Sequence, residues 1–528
     1  VRSIHFTEEH ETFRREVRRF VETEIAPHAD AWEAARRIPR EAFARMGDLG
    51  FLGICFPEEY GGSGADIFFA VAFLEELPRS MMGGFCAAVS VQQFMATQHI
   101  HRVGSEDLKR DYLVPSIHGR KVGALAITEP DTGSDVAAIR TAAVRVGDEY
   151  VVRGAKTFIT NGAEGDFYTL AVRTGPGRGA SGLSLLVVDA DLPGVAVSRR
   201  LEKIGWHSSD TAEIAFEDVR VPASRLIGDE GSGFYQIVES FALERIAAAA
   251  IAVGSADVAL EETLRHMAQR TAFGKPLSRF QALRHRLADL ATELEAVRHL
   301  TYHAAWLHDR GEPAVRESAM AKLSATELGK RVADECVQFF GGYGFMEEYP
   351  VARFFRDARG GTITAGTSEI MREIIARSVF DERADEPAPE PVSEPSVTGR
   401  PVPETAGGPT EAAPPVPSFS GPPPPIEDVM RALPDRLCSD RAAGWSSTFH
   451  FVLTGADHPD WTVRIEDGTC RVDEGLDGNP DCVVRMKEKT YRGLLDGSVN
   501  PRAAFLTGRI KVSSLSEMMR FASAFRLS

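Results

Sequence analysis

The chain has 528 residues, 43% of them hydrophobic, and carries 60 Lys+Arg against 76 Asp+Glu, a formal net charge of -16. Its length predicts several domains rather than one, and the acid excess argues against general nucleic-acid binding, which needs a basic surface. No long uncharged apolar run predicts a membrane span, the charged N-terminal stretch has no apolar signal core, and the six cysteines lack CxxC spacing, so reduced core thiols in a cytoplasmic protein are expected.

Residues 1–120 read as helical. Phe13, Val17, Phe20 and Val21 recur at helical spacing, with a break or kink at Pro27. Further helices are expected over Arg40–Gly50, Asp66–Pro78 and about Gly84–Val103, with Lys109–Ile117 closing the segment and Phe56–Gly64 as a turn-rich loop. Residues 121–232 change to period two. Thr141–Val146 and Tyr150–Lys156 flank the hairpin signal Gly147-Asp148, and Leu183–Ala190, Gly194–Ser198 and Ala212–Val219 follow, which predicts a compact antiparallel sheet closed into a small barrel. Residues 233–380 return to helix in the long runs Phe234–Arg270, Phe280–Arg310 and Ala314–Phe340, with Thr367 capping Ser368–Phe380; short connections predict an antiparallel bundle. Residues 381–425 hold 14 of the 30 prolines and read as an acidic, disordered or polyproline-like linker. Residues 426–528 read as a one-sheet α+β domain: a first helix, strands Ser447–Thr454, Trp461–Glu466 and Cys482–Met486, then helical Thr490–Leu495 and Leu515–Ala524. The fold class is multidomain α+β.

Leu125–Asp135, LAITEPDTGSD, gathers the hydroxyls of Thr128, Thr132 and Ser134, backbone amides and flexible Gly133 behind an apolar run. Such a loop can wrap a polar, phosphate-bearing or ring-edge ligand, although alone it reads more simply as a surface turn. On the long helix Ile237, Phe241, Ala248, Ile251 and Val258 make one apolar stripe, and Glu244 sits within it. A carboxylate there loses hydration, its pKa rises unless a partner compensates, and a base tuned upward can take a proton from carbon. For an isolated helical Glu the alternatives are pairing with Arg245 or a wet bundle edge. His99 and His101 are two apart and share no helix face, so no metal site is expected from them; His207 is expected to be structural. Gly341-Gly342-Tyr343-Gly344 lacks the spacing of a nicotinamide site.

Six motifs then stand in order: LAITEPDTGSD, KTFITNG (Lys156–Gly162), KIGWHSSDTAEIAFEDVRVP (Lys203–Pro222), QRTAFGKPLSRFQ (Gln269–Gln281), QFFGGYGF (Gln338–Phe345) and AGTSEIMR (Ala365–Arg372). Together they resemble the acyl-CoA dehydrogenases over about residues 1–380. The resemblance implies an N-terminal helical domain, a central β-barrel and a C-terminal four-helix bundle. It also implies FAD, an acyl-CoA substrate, a homotetramer or homodimer, and an electron-transferring flavoprotein as usual acceptor. By resemblance Ile127, Thr128, Ser134, Phe158 and Thr160 contact the isoalloxazine and ribityl side of FAD, with Phe158 where many members have Trp, and Ser134 also faces the CoA. Arg270, Phe280, Gln281, Gln338, Gly341 and Gly342 are implied at the pyrophosphate and adenine, partly across a subunit interface. Thr367, Ser368 and Glu369 are implied as further cofactor contacts at a helix start. Phe241, Arg245, Gly366 and Arg372 are implied near the CoA and acyl group, a solvated or interface ion pair being the alternative for the two arginines.

In most of that family a catalytic Glu directly precedes the Gly-Thr of the last motif; here that place is Ala365. A minority branch, the isovaleryl-CoA and long-chain types, takes its base from the long helix as Glu-Arg, and Glu244-Arg245 stand there. Glu244 is thus implied as the base, with Glu369 a weaker substitute. In the tail, WTVRIEDG (Trp461–Gly468), NPDCVV (Asn479–Val484), GSVNPRAAF (Gly497–Phe505) and GRIKV (Gly508–Val512) resemble the sterol-carrier-protein-2 (SCP2) family. That implies a tunnel for an apolar lipid, for which Met518, Met519, Phe521 and Phe525 would suit the lining; plain core packing in an assembly module is the alternative. The expected activity is FAD-dependent desaturation of a long, branched or bulky acyl-CoA to the trans-2-enoyl-CoA. The alternatives are an acyl-carrier-protein-linked dehydrogenase or acyl oxidase on the same fold, and a catalytically silent lipid-binding or scaffold protein.

Overall fold

The computed structural model describes residues 3–175, 179–180, 182–384, 426–437, 442, 444–454, 460–495, 504 and 510–524. The chain divides into two units, Val1–Ile375 and Ala376–Ser528. The first opens with helices α1 (Glu8–Phe20), α2 (Ala29–Ala35), α3 (Arg40–Asp48), α4 (Ile67–Glu76), α5 (Gly83–Val91), α6 (Thr97–Val103), α7 (Glu106–Leu108) and α8 (Val114–Ile117). Thr7 caps α1 reciprocally with His10, the Thr7 N–H donating to the imidazole at 3.0 Å. Pro27 lies in a tight turn, Ala26–His28, through which the helical path bends into α2. The run expected as one helix over Gly84–Val103 is interrupted by a wide turn, Gln92–Ala96, between α5 and α6. Side chains hold that turn: Thr97 Oγ1 donates to the Gln92 carbonyl at 2.8 Å, and Gln92 Nε2 to the Lys121 carbonyl at 3.0 Å.

Strands β1 (Gly123–Ala126), β2 (Ala142–Val146), β3 (Glu149–Thr160), β4 (Phe167–Arg173), β5 (Leu183–Asp189), β6 (Val195–Arg200), β7 (Thr211–Pro222) and β8 (Leu226–Ile227) form one sheet. Its order is β6-β7-β3-β2-β4-β5-β8, with β1 paired to β4. Val146 pairs with Glu149 across the hairpin at Gly147-Asp148. The purely antiparallel expectation is corrected, since β1 and β2 both pair with β4 in parallel. β4 has no expected counterpart because it is buried on both faces and shows no alternation.

Helices return with α9 (Gly233–Gln269), α10 (Gln281–Asp309), α11 (Val315–Phe340), α12 (Pro350–Gly361) and α13 (Ser368–Ala384). The hairpin β9 (Thr271–Ala272) and β10 (Lys275–Pro276) joins α9 to α10. α9 packs against α4, α10 and α11. Gly254 permits the approach to α4, because a Cβ there would lie 2.3 Å from the Glu75 carbonyl oxygen. No helix is expected over α12, yet its buried Asp357 accepts the Gly83 N–H at 2.9 Å and the Trp206 N–H at 2.5 Å. One carboxylate thereby ties α12 to the start of α5 and to the β6–β7 connection.

The second unit carries α14 (Ile426–Arg431), β11 (Ser446–Thr454), β12 (Trp461–Glu466), β13 (Thr469–Glu474), β14 (Cys482–Lys487), α15 (Glu488–Leu495), β15 (Ile510–Val512) and a closing helix, Leu515–Ala524. The sheet order is β13-β12-β11-β14-β15, so two strands join the three expected. Phe521 packs into its core, 4.9 Å from Phe449 and 5.4 Å from Phe451 between ring centroids, and Met518 lies against the same cluster. The Met519 side chain, Phe525, most of GSVNPRAAF, Gly508 and Arg509 of GRIKV, Cys438 and residues 385–425 of the expected linker lie outside the described residues; α13 runs on to Ala384. Among the described residues, Cys55, Cys86, Cys336, Cys470 and Cys482 are free thiols, no helix is long and apolar enough to cross a membrane, and no three His, Cys, Asp or Glu cluster as metal ligands.

Candidate active site

A cavity of about 980 Å³ lies where the barrel, α5, α9 and the turn before α13 meet. Its barrel side is built on one buried ion pair. Lys156 Nζ, fully buried on β3, donates to Glu129 Oε1 and to the Ile127 carbonyl, both at 2.9 Å. The Glu129 carboxylate also accepts the Thr141 N–H at 2.8 Å and the Arg140 N–H at 2.7 Å, and the Thr157 N–H donates to the Thr128 carbonyl at 2.9 Å. Burial works against the Glu129 charge, but Lys156 and these donors outweigh it and hold the carboxyl below its usual range. Burial pulls the Lys156 ammonium down to about 8, against the pull of Glu129. The loop 127–129 is therefore anchored from behind, leaving Ile127, Thr128 and Ser134 on the cavity wall.

Phe158 and Thr160 complete that wall. The β3–β7 pairing slips between Lys156 and Ile159, a bulge that re-aims the intervening side chains. Phe158 stands there with φ 60° and 67% of its surface exposed. A left-handed Phe is strained by about 1–2 kcal/mol, so this free ring is held in place by the strand around it.

The facing wall is α9. Phe241, Glu244, Arg245, Ala248, Ile251, Ala252 and Ser255 all line the cavity. Glu244 is 4% exposed, and burial pushes its carboxyl up to about 7 against the Ser240 hydrogen bond and the Arg245 charge. Arg245 acts on Glu244 through its charge, with no hydrogen bond between the two among the described residues, since adjacent helical side chains diverge. The Arg245 guanidinium lies over the Phe241 ring at 5.2 Å, and its Nε is buried without a hydrogen-bond partner. Burial pulls it down to about 10, against Glu244.

Ala365, Gly366 and Thr367 close the cavity, Ala365 at φ 52° and Gly366 at φ 89°. Lys322 on α11 holds this turn, its buried Nζ donating to the Gly366 carbonyl at 2.6 Å. Thr367 Oγ1 accepts the Ile370 N–H at 3.3 Å and so caps α13. The other expected residues fall elsewhere. Ser368 donates its hydroxyl to Glu327 at 2.7 Å; Arg372 sits 3.9 Å from both Glu327 and Glu369; the Glu369 side chain is exposed. None of these three lines the cavity. Arg270, Gln338, Gly341 and Gly342 line a second cavity of about 580 Å³. Phe280 and Gln281 line neither; the Phe280 ring lies under Lys275 Nζ at 4.3 Å. His99 is buried on α6, and burial pulls it down to about 3, whereas His101 is only partly buried and packs its ring edge-on against Phe56. His207 Nε2 lies 2.9 Å from the Lys203 carbonyl, a local contact.

Lys156, Glu129, Lys322 and Ser240 have no role in the sequence reading. Glu129 lies inside LAITEPDTGSD and Lys156 opens KTFITNG, so opposite charges embedded in two ligand-loop motifs are the signal that could have paired them.

Models of the acyl-CoA dehydrogenase N-terminal, middle and C-terminal domains match residues 7–120, 124–219 and 231–380, and a model of the SCP-2 sterol transfer family matches residues 426–526. An acyl-CoA dehydrogenase of Bacillus subtilis (strain 168) is 39% identical over 374 residues, 71% of this chain and 98% of that one. The mitochondrial long-chain specific acyl-CoA dehydrogenase of Sus scrofa is 38% identical over 380 residues, 72% of this chain and 88% of that one. The crystal structure of a probable acyl-CoA dehydrogenase from Mycobacterium abscessus superposes with a TM-score of 0.69 at 44% identity, covering 71% of this chain and 100% of that chain.

Proposed function

Because the chain belongs to the acyl-CoA dehydrogenase family, we propose that Glu244 is the base that removes the α proton of its acyl-CoA substrate. The observation that carries this is a dry carboxyl at about 7 on the cavity wall, where Ala365 offers no titratable group. A base near neutrality combines a usable ionised fraction with enough basicity to attack a carbon acid. The family is FAD-dependent, and the residues present fit that cofactor: the free face of Phe158 awaits a flat ring, and Thr128, Ser134 and Thr160 surround it with hydroxyls. When bound, FAD supplies the acceptor for the β hydrogen. The chain's own part is to orient the thioester, exclude water and hold the proton on Glu244. Arg270, Gln338, Gly341 and Gly342, on a separate cavity, support an FAD shared between copies in a homodimer or homotetramer. An electron-transferring flavoprotein is the proposed acceptor.

The acyl group proposed is long. From Glu244 to Ser255 the cavity follows α9 for eleven residues, about 16 Å at 1.5 Å each. An extended alkyl chain advances about 1.3 Å per carbon, from C–C bonds near 1.5 Å at tetrahedral angles, so roughly twelve carbons fit that wall. The SCP-2-like tail supports the same class, since a tethered lipid carrier raises the local concentration of a poorly soluble substrate. Anaerobic bleaching of the flavin by acyl-CoAs of graded length tests both parts. Glu244→Gln keeps its flavin and no longer bleaches; a Glu244→Gln protein that still bleaches transfers the role to another acid, Glu369 first.

A further inference from the structure

We propose that Ser240 is a positioning residue for Glu244: its hydroxyl holds Oε1 and leaves Oε2 as the oxygen that receives the substrate proton. The inference rests on Glu244 being the base. Ser240 precedes Glu244 by one helical turn, and helical side chains lean toward the N-terminus, so the carboxyl reaches back over the serine. Ser240 Oγ lies 2.9 Å from Glu244 Oε1, and both residues are buried. Oε2 has no hydrogen-bond partner among the described residues, although Glu244 lines the cavity. One oxygen is thus tied to the helix and the other is open to the substrate side.

A serine hydroxyl has one proton and here two acceptors at equal reach. Ser240 Oγ is 2.9 Å from the Ile237 carbonyl as well as from Oε1. When Glu244 is ionised, the hydroxyl turns to Oε1, the stronger acceptor. The α C–H bond of the substrate then breaks and its proton moves to Oε2. The bonding pair stays with carbon and would become the new C=C bond as the β hydrogen leaves with its own pair to the acceptor that FAD, when bound, would supply. Glu244 is then neutral, and the Ser240 hydroxyl can return to the Ile237 carbonyl without any heavy atom moving. Ser240 therefore favours the ionised base over the neutral acid.

The neighbouring titratable groups leave this assignment to Ser240. Arg245 on α9 diverges from Glu244, and Lys322 on α11 is committed to the Gly366 carbonyl. His99 on α6 is 3.5 Å from Ser240 Oγ and neutral, so it adds no charge. Cys86 on α5 and Asp357 on α12 line the cavity, and Asp357 is engaged by two backbone amides.

The test is the pH dependence of flavin reduction in the full-length holoenzyme. The rate rises with pH as Glu244 ionises. In Ser240→Ala that rising limb moves to higher pH by about one unit, the scale of one charge-assisted hydrogen bond. The rate at pH 7 falls roughly fivefold and recovers by pH 9, and Ser240→Thr, which keeps the hydroxyl, restores the limb. An unmoved limb in Ser240→Ala, or a loss that is the same at every pH, overturns the proposal. If Glu244→Gln instead bleaches with the parent's pH profile, the base assignment itself fails, so the two failures are distinguishable.

Discussion

Glu244→Gln should make the protein more stable, by an amount that depends on pH. The Glu244 carboxyl has an ordinary value of 4.5 and is pushed to about 7 by burial in the folded chain. Below pH 4.5 both folded and unfolded chains hold the proton, and the residue costs the fold nothing. Between 4.5 and 7 the unfolded chain ionises first, so stability falls as pH rises. Above 7 the whole penalty is present, about 3 kcal/mol for that interval. Glutamine is nearly isosteric, keeps an oxygen for Ser240 and never ionises. The variant should therefore exceed the parent by roughly 1 kcal/mol at pH 5 and roughly 3 kcal/mol at pH 8. Equilibrium urea unfolding of both full-length proteins, at equal free FAD and at the two pH values, measures the difference directly, because every other group cancels between them. A gain that is identical at pH 5 and pH 8, or a loss that grows with pH, would refute the claim that this carboxyl is held dry and against its own ionisation.

Lys156→Met should leave the Glu129 carboxylate buried with backbone amides but no counter-charge, destabilising the protein by about 3–5 kcal/mol and lowering its flavin content; a variant with full 450 nm absorbance and unchanged unfolding would show that the pair does not support the loop. Ala252→Phe, two turns beyond Glu244 on the same wall, should block the far part of the cavity about 12 Å from the base. It should shift the preferred acyl length downward while sparing short substrates and flavin content, and a uniform loss across chain lengths would count against that course of the acyl chain.

The long helices are legible in sequence almost to the residue. α9, α10 and α11 are long runs rich in helix formers; α9 gives way to the hairpin of Thr271–Ala272 and Lys275–Pro276, and α11 stops at Gly341. β4 and α12 are not legible, for opposite reasons. β4 is covered on both faces, so its apolar residues do not alternate and nothing separates strand from buried helix. α12 buries Val351 and Asp357, and the second of these is satisfied by backbone amides at Gly83 and Trp206, far away in sequence. The interruption between α5 and α6 is of the same kind, since Gln92 and Thr97 act through hydrogen bonds to backbone groups rather than through periodicity.

Within the candidate site the limit of sequence reading lies in direction rather than in composition. α9 is buried on most of its circumference, so an apolar stripe along it does not say which face meets a ligand. The stripe alone leaves Glu244 with the alternatives of an Arg245 pair or a wet edge; the resemblance makes it the expected base only when Ala365 is read beside it, where most of the family carries that base. The same logic divides the expected cofactor contacts. The resemblance implies that Phe158 and Arg270 contact opposite ends of one FAD, yet they line separate cavities of one chain. On the proposed sharing of FAD between copies, dilution that separates copies should release flavin before it unfolds the chain.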